Sequence, residues 1–104
     1  MREYIPKNFD KSSYRIICAV IKQYPMLQKK SKREKLKGLK RLKFKSVFAA
    51  YNEFSEFEKR VISQRFFEGR AFIDIDAPFC DKDKQNICAS FVREVGKRLG
   101  EIEA

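Results

Sequence analysis

The sequence predicts an all-α fold, a small helical domain of four or five helices. Three observations predict it. Apolar residues recur at spacings of three and four along most of the chain. No stretch sustains the apolar–polar alternation of a strand. Helix start and stop signals, among them a capping box, two prolines and a glycine turn, fall at the ends of the patterned segments. With 104 residues, 43% of them hydrophobic, the chain has enough apolar side chain for one core.

The first helix follows Asp10-Lys11-Ser12-Ser13. Tyr14, Ile17, Cys18, Ile21 and Tyr24 lie on one helical face, and Ser12 or Ser13 caps its start. Pro25 pushes Tyr24 out of the helical region, so the spacing predicts an end near Tyr24. A second, basic helix carries Leu36, Leu39, Leu42, Val47, Phe48 and Tyr51 as its stripe. It runs from about 33 to 53, or begins near 39 if Gly38 is its boundary, because Gly in a helix interior costs about 1 kcal/mol relative to Ala.

Ser55-Glu56-Phe57-Glu58 has the form of a capping box. It opens a third helix with Phe57, Val61, Ile62, Phe66 and Phe67 inward, ended by Glu68-Gly69-Arg70, where Gly69 is free to take a positive φ. Residues 71–77 make a short helix with Phe72 and Ile75 inward, and Phe79 close behind. Pro78 limits its length. Asp81-Lys82-Asp83 is a turn with Asp83 as cap. The last helix runs from Lys84 to about Glu101, and Ile87, Phe91, Val95, Leu99 and Ile102 mark its buried face. Cys88, beside Ile87, reads as a half-buried packing thiol. Tyr4, Tyr14, Tyr24 and Tyr51 follow no regular spacing and read as packing aromatics. Helix, glycine turn, short helix, tight turn and longer helix is the order of a helix-turn-helix unit with a supporting helix. The chain thus divides into N-terminal helices, 1–53, and a helix-turn-helix unit, 54–104.

Charge divides the same way. The net charge is +10, and Lys+Arg outnumber Asp+Glu 24 to 14. Residues 1–54 hold 15 basic and 4 acidic side chains, against 9 and 10 in residues 55–104. Ten of the basic residues fall between Lys29 and Lys45, with Glu34 the single acid among them. A small domain so asymmetric in charge points to a polyanion as partner.

The composition also excludes. No apolar run approaches the ~18 residues of a membrane span, and Met1 to Pro6 lack the apolar core of a signal peptide, so the expected location is cytoplasmic. The chain has no His and only three Cys, at 18, 80 and 88, without CxxC spacing. A disulfide framework and a zinc site are not expected. There is no glycine-rich phosphate loop and no nucleophile beside a base. Asp74 and Asp76, two apart on a helix, do not face each other. No catalytic residue, metal or cofactor is expected, and the chain does not read as an enzyme.

The stretch from Phe54 to Gly69 resembles the opening of region four of bacterial sigma factors. Arg65-Phe66-Phe67-Glu68-Gly69 is similar to the family's Arg-aromatic-Phe triplet and Glu-Gly turn, and Phe72-Ile73-Asp74-Ile75 to its second helix. With the N-terminal helix added, the chain is similar to short phage-type regulators of the ArpU and RinA kind. The resemblance implies a sequence-specific, duplex-DNA-binding transcriptional regulator, prophage-encoded and more often an activator than a repressor, with a recognition helix at about 84–101. Three departures stand out. Asp76 replaces a small residue, Cys80 replaces a glycine, and Pro78 sits in the second helix. Asp74, Asp76, Asp81 and Asp83 also bring four negative charges to the turn that should face phosphate. Either they point away from DNA or the unit docks on protein.

With Ile87, Phe91, Val95 and Leu99 inward, the opposite side of the last helix presents Gln85, Asn86, Ala89, Ser90, Arg93 and Lys97, with Lys82 and Lys84 at its start. These are major-groove types: Gln and Asn bond adenine, Arg bonds guanine, and Ala touches the thymine methyl. Lys29, Lys30, Lys32 and Arg33 are the candidate phosphate contacts in the basic segment. The partners expected are duplex DNA and, if the fold docks on protein, RNA polymerase or another regulator. A structured RNA gripped by the basic segment is a further alternative. Operator, sign of regulation and oligomeric state, a homo-oligomer included, stay open.

Overall fold

The computed structural model describes residues 10–100. Every regular element among them is helical: α1, Lys11–Arg33; α2, Gly38–Tyr51; α3, Glu56–Ile62, which widens into a π turn over Ser63–Phe67; a 3-10 turn, Phe72–Asp74; and α4, Asp81–Leu99. The all-α expectation holds. Several boundaries do not.

The expected start of α1 falls two or three residues late. Asp10 is the cap, its Oδ2 accepting from the Ser13 N–H at 3.0 Å. The helix also does not stop at Tyr24. It continues through Pro25 to Arg33. Pro25 has no N–H for the ladder, but Tyr24 before it and Leu27 after it are both buried. The Tyr24 ring stacks between Phe44 at 5.4 Å and Phe67 at 5.6 Å. Packing on both sides of the proline holds the two turns in line. The buried stripe is Tyr14, Ile17, Val20, Ile21, Tyr24 and Leu27.

The second helix begins at Gly38, whose φ of 60° is the left-handed conformation that favours glycine. Its apolar stripe is only partly inward. Val47 and Ala50 are buried, whereas Leu39, Leu42 and Phe48 are exposed. Leu36 is buried from the connection before the helix.

The capping box of α3 forms in both directions. Ser55 N–H donates to Glu58 Oε1 at 2.9 Å, and Glu58 N–H donates to Ser55 Oγ at 3.3 Å. Val61 and Ile62 are fully buried. Phe66 and Phe67 pack partly inward. Phe57 is a correction: it is 53% exposed and lies under the Arg60 guanidinium at 5.7 Å. As expected, Gly69 turns the chain at positive φ, 70°.

The short helix expected over 71–77 does not form. One 3-10 turn stands in its place, and Ile75 is already extended. Pro78 disfavours helical backbone at Ala77. Two side chains take up the segment's backbone groups instead. Gln64 donates to the Asp76 carbonyl at 3.2 Å and accepts the Asp76 N–H at 2.9 Å. Lys84 Nζ donates to the carbonyls of Phe72 at 3.1 Å and Ile75 at 2.9 Å. Ile75 pins the loop to the core.

Because Cys80 is the N-cap, Asp81 and Asp83 lie inside the first turn of α4, and Asp83 is not the cap. Two carboxylates there suit the positive end of the helix dipole. Gly100, at φ 79°, ends the helix. Glu101 and Ile102, and Tyr4 at the other end, lie outside the described residues. α4 packs against α1, α2, α3 and the 3-10 turn. Phe91 is at the centre with no exposed surface, its ring 5.8 Å from Phe66 and 5.9 Å from Phe54. Cys88 is fully buried rather than half-buried. Among the described residues no helix is long and apolar enough to cross a membrane.

Candidate nucleic-acid interface

Of the eight residues expected on the polar side of α4, four are exposed, three are partly covered and one is buried. Lys82, Asn86, Ala89 and Arg93 follow spacings of four, three and four, which place them on one helical face. Ser90 and Lys97 flank it. Lys82, Asn86, Ser90 and Lys97 are exposed; Gln85, Ala89 and Arg93 are partly covered. Lys97 Nζ lies 3.7 Å from Glu94 Oε1. Lys84 leaves the set. It is 6% exposed, its ammonium is bound to two loop carbonyls, and Asp81 Oδ1 is 3.7 Å away. Its position explains this: 84 precedes Ile87, Cys88 and Phe91 by three, four and seven residues, so it belongs to the buried face. Asp74, Asp76, Asp81 and Asp83 are all exposed. They surround the start of α4 with negative charge.

The basic half is more uniform. α1 carries seven Lys or Arg and no acid, and α2 carries four and no acid. Lys11, Arg15, Lys22, Lys29 and Arg33 are exposed and fall on one line of α1, at spacings of four, seven, seven and four. At 1.5 Å per residue the line runs about 33 Å. The four candidate phosphate contacts belong to the last turns of α1, because that helix runs on past Pro25. Lys29 and Arg33 extend the line. Lys32 is exposed off it. Lys30 turns toward α2, with Glu34 Oε1 at 3.3 Å and Lys40 beside it. Lys40 and Glu34 beside it raise the Lys30 pKa, and Lys30 lowers that of Lys40.

Lys11, Arg15 and Lys22 join this line, although the sequence reading offered no phosphate contact before Lys29. Their signal was the seven-residue step from Arg15 through Lys22 to Lys29, hidden once the helix was ended at Tyr24.

Cys88, Tyr14, Tyr24 and Tyr51 pack in the core. Desolvation pushes Cys88 up to about 12 and raises Tyr14, Tyr24 and Tyr51. Among the described residues no three Cys, Asp or Glu side chains gather to hold a metal ion.

No family model, curated protein or solved structure matches the chain. The likeness to sigma region four therefore rests on the quoted residues alone.

Proposed function

We propose that the chain is a duplex-DNA-binding transcriptional regulator of the phage type. It grips phosphate through α1 and α2 and reads bases with the polar row of α4. The observation that carries this reading is the charge segregation: eleven basic and no acidic residues in α1 and α2. Phosphate contacts of this kind supply affinity without sequence information. The α4 row, now Lys82, Gln85, Asn86, Ala89, Ser90, Arg93 and Lys97, supplies the donors and acceptors a major groove can recognise.

The test is selection of bound sites from a random duplex pool, followed by titration of α4 variants. Asn86→Ala or Arg93→Ala should cost about 1–3 kcal/mol on the selected site and little on random DNA. Weaker binding on both alike, or on neither, would overturn base reading by α4.

A second reading has its own support in the four exposed aspartates around the start of α4. They would repel phosphate and suit a basic protein surface, such as a patch on RNA polymerase or another regulator. In that case the pool yields no preferred site, while purified polymerase binds the chain and releases it on Asp81→Asn with Asp83→Asn.

A further inference from the structure

Where α1 hands over to α2, lysines from three successive pieces of chain converge on one cleft of about 490 Å³. Lys30 comes from α1, Lys35 and Lys37 from the connection, and Lys40 from α2. Glu34 is the one acid lining it, and its carboxylate already lies against Lys30. Lys30 and Lys40 line the cleft from the two helices, close enough for each to shift the other's titration. Like charges so placed repel, and the repulsion is relieved by an anion between them. The lysines are spread over three elements, so they approach a bound group from different sides. That suits the several oxygens of a phosphoryl group better than the two of a carboxylate.

We propose that this cleft is a phosphate seat in which Lys30 and Lys40 hold one phosphoryl group between them. The seat rests on the DNA-binding reading only for its source, a backbone phosphate; a free phosphate or pyrophosphate has the same chemistry. Glu34 is the internal competitor, holding Lys30 until an anion displaces it.

Two measurements test the seat on the full chain. In the first, inorganic pyrophosphate is titrated while backbone amide signals are followed by NMR. Saturable shifts over residues 35–40 are expected, abolished by Lys40→Gln and strengthened by Glu34→Gln. In the second, Lys30→Gln, Lys40→Gln and the double variant are titrated with a random-sequence duplex. Two lysines on one phosphate act as a unit. Each single change should therefore weaken binding roughly tenfold and the double change scarcely more. Non-additive weakening supports a backbone phosphate as the source, and pyrophosphate shifts without weaker duplex binding support a free one. Additive or absent effects on the duplex together with no saturable pyrophosphate shift overturn the seat and leave DNA binding standing. If the unaltered chain binds no duplex at all, the DNA reading falls, and the pyrophosphate titration alone decides the seat.

Discussion

Phe91→Ala is expected to cost about 3–5 kcal/mol of folding stability, the range for a fully buried Phe. The side chain has no exposed surface. Its ring meets Tyr51 of α2 edge-on at 6.3 Å and 73°, Phe54 of the α2–α3 turn at 5.9 Å and 80°, and Phe66 of the π turn at 5.8 Å. The cavity would be walled by separate elements that are each anchored elsewhere, so collapse would be incomplete. Small domains hold about 5–15 kcal/mol in total, and each kcal/mol moves the melting temperature of a chain this size by about 4–8 °C. The expected drop is thus more than about 12 °C. Phe57→Ala is the control, because an exposed ring should change stability by about 0.5 kcal/mol or less. Thermal melts of the three proteins decide it. If Phe91→Ala melted like the unaltered chain, the buried face of α4 would be misplaced, and the Asn86 and Arg93 row with it.

The second large effect belongs to Lys84. Lys84→Ala should cost about 2–4 kcal/mol, because the Ile75 carbonyl would lose its donor, the Phe72 carbonyl would keep only the Ile75 N–H, and the packed stem would be lost. Removing a buried charge recovers some desolvation, so Lys84→Met separates the contributions. It keeps the packed stem, supplies no donor, and should still cost about 1–3 kcal/mol. Hydrogen exchange would show where the effect falls: amides of residues 70–80 should exchange more freely before those of α1 do. A Lys84→Met protein as stable as the unaltered one would mean that the clamp contributes nothing and that Ile75 and Gln64 hold the loop.

Lys84 also shows what the sequence hides. The helical spacing that assigns Ile87, Cys88 and Phe91 to the core of α4, extended back by three residues from Ile87 and four from Cys88, places residue 84 on the same face. Lysine there reads as a surface residue until the carbonyls of Phe72 and Ile75 are in view, and those come from a segment whose local signals favour a helix. The capping box at Ser55 and the turn at Gly69 were legible because both are local. Pro25 was misleading for the opposite reason. Its local preference is real, but the packing of Tyr24 between Phe44 and Phe67 overrides it, and that packing depends on elements twenty and forty residues away. The basic line on α1 became visible only with the helix intact. Charge asymmetry could be read from the sequence by counting, whereas the nearness of Lys30 to Lys40 depends on the α1–α2 corner.

The proposed grip of α1 and α2 on the phosphates of duplex DNA is tested by fluorescence anisotropy of a labelled duplex titrated across a salt series. The unaltered chain is compared with one in which Lys29, Lys30, Lys32 and Arg33 are changed to Gln. Every phosphate that the variant no longer neutralises should flatten the log–log salt dependence by about 0.9. A steep slope is expected for the unaltered chain and a shallower one for the variant. Binding to every duplex should weaken alike, and the preference for the selected site should stay unchanged. A slope that stays the same after four charges are removed, or an unaltered chain that binds no duplex at low salt, would contradict the phosphate grip.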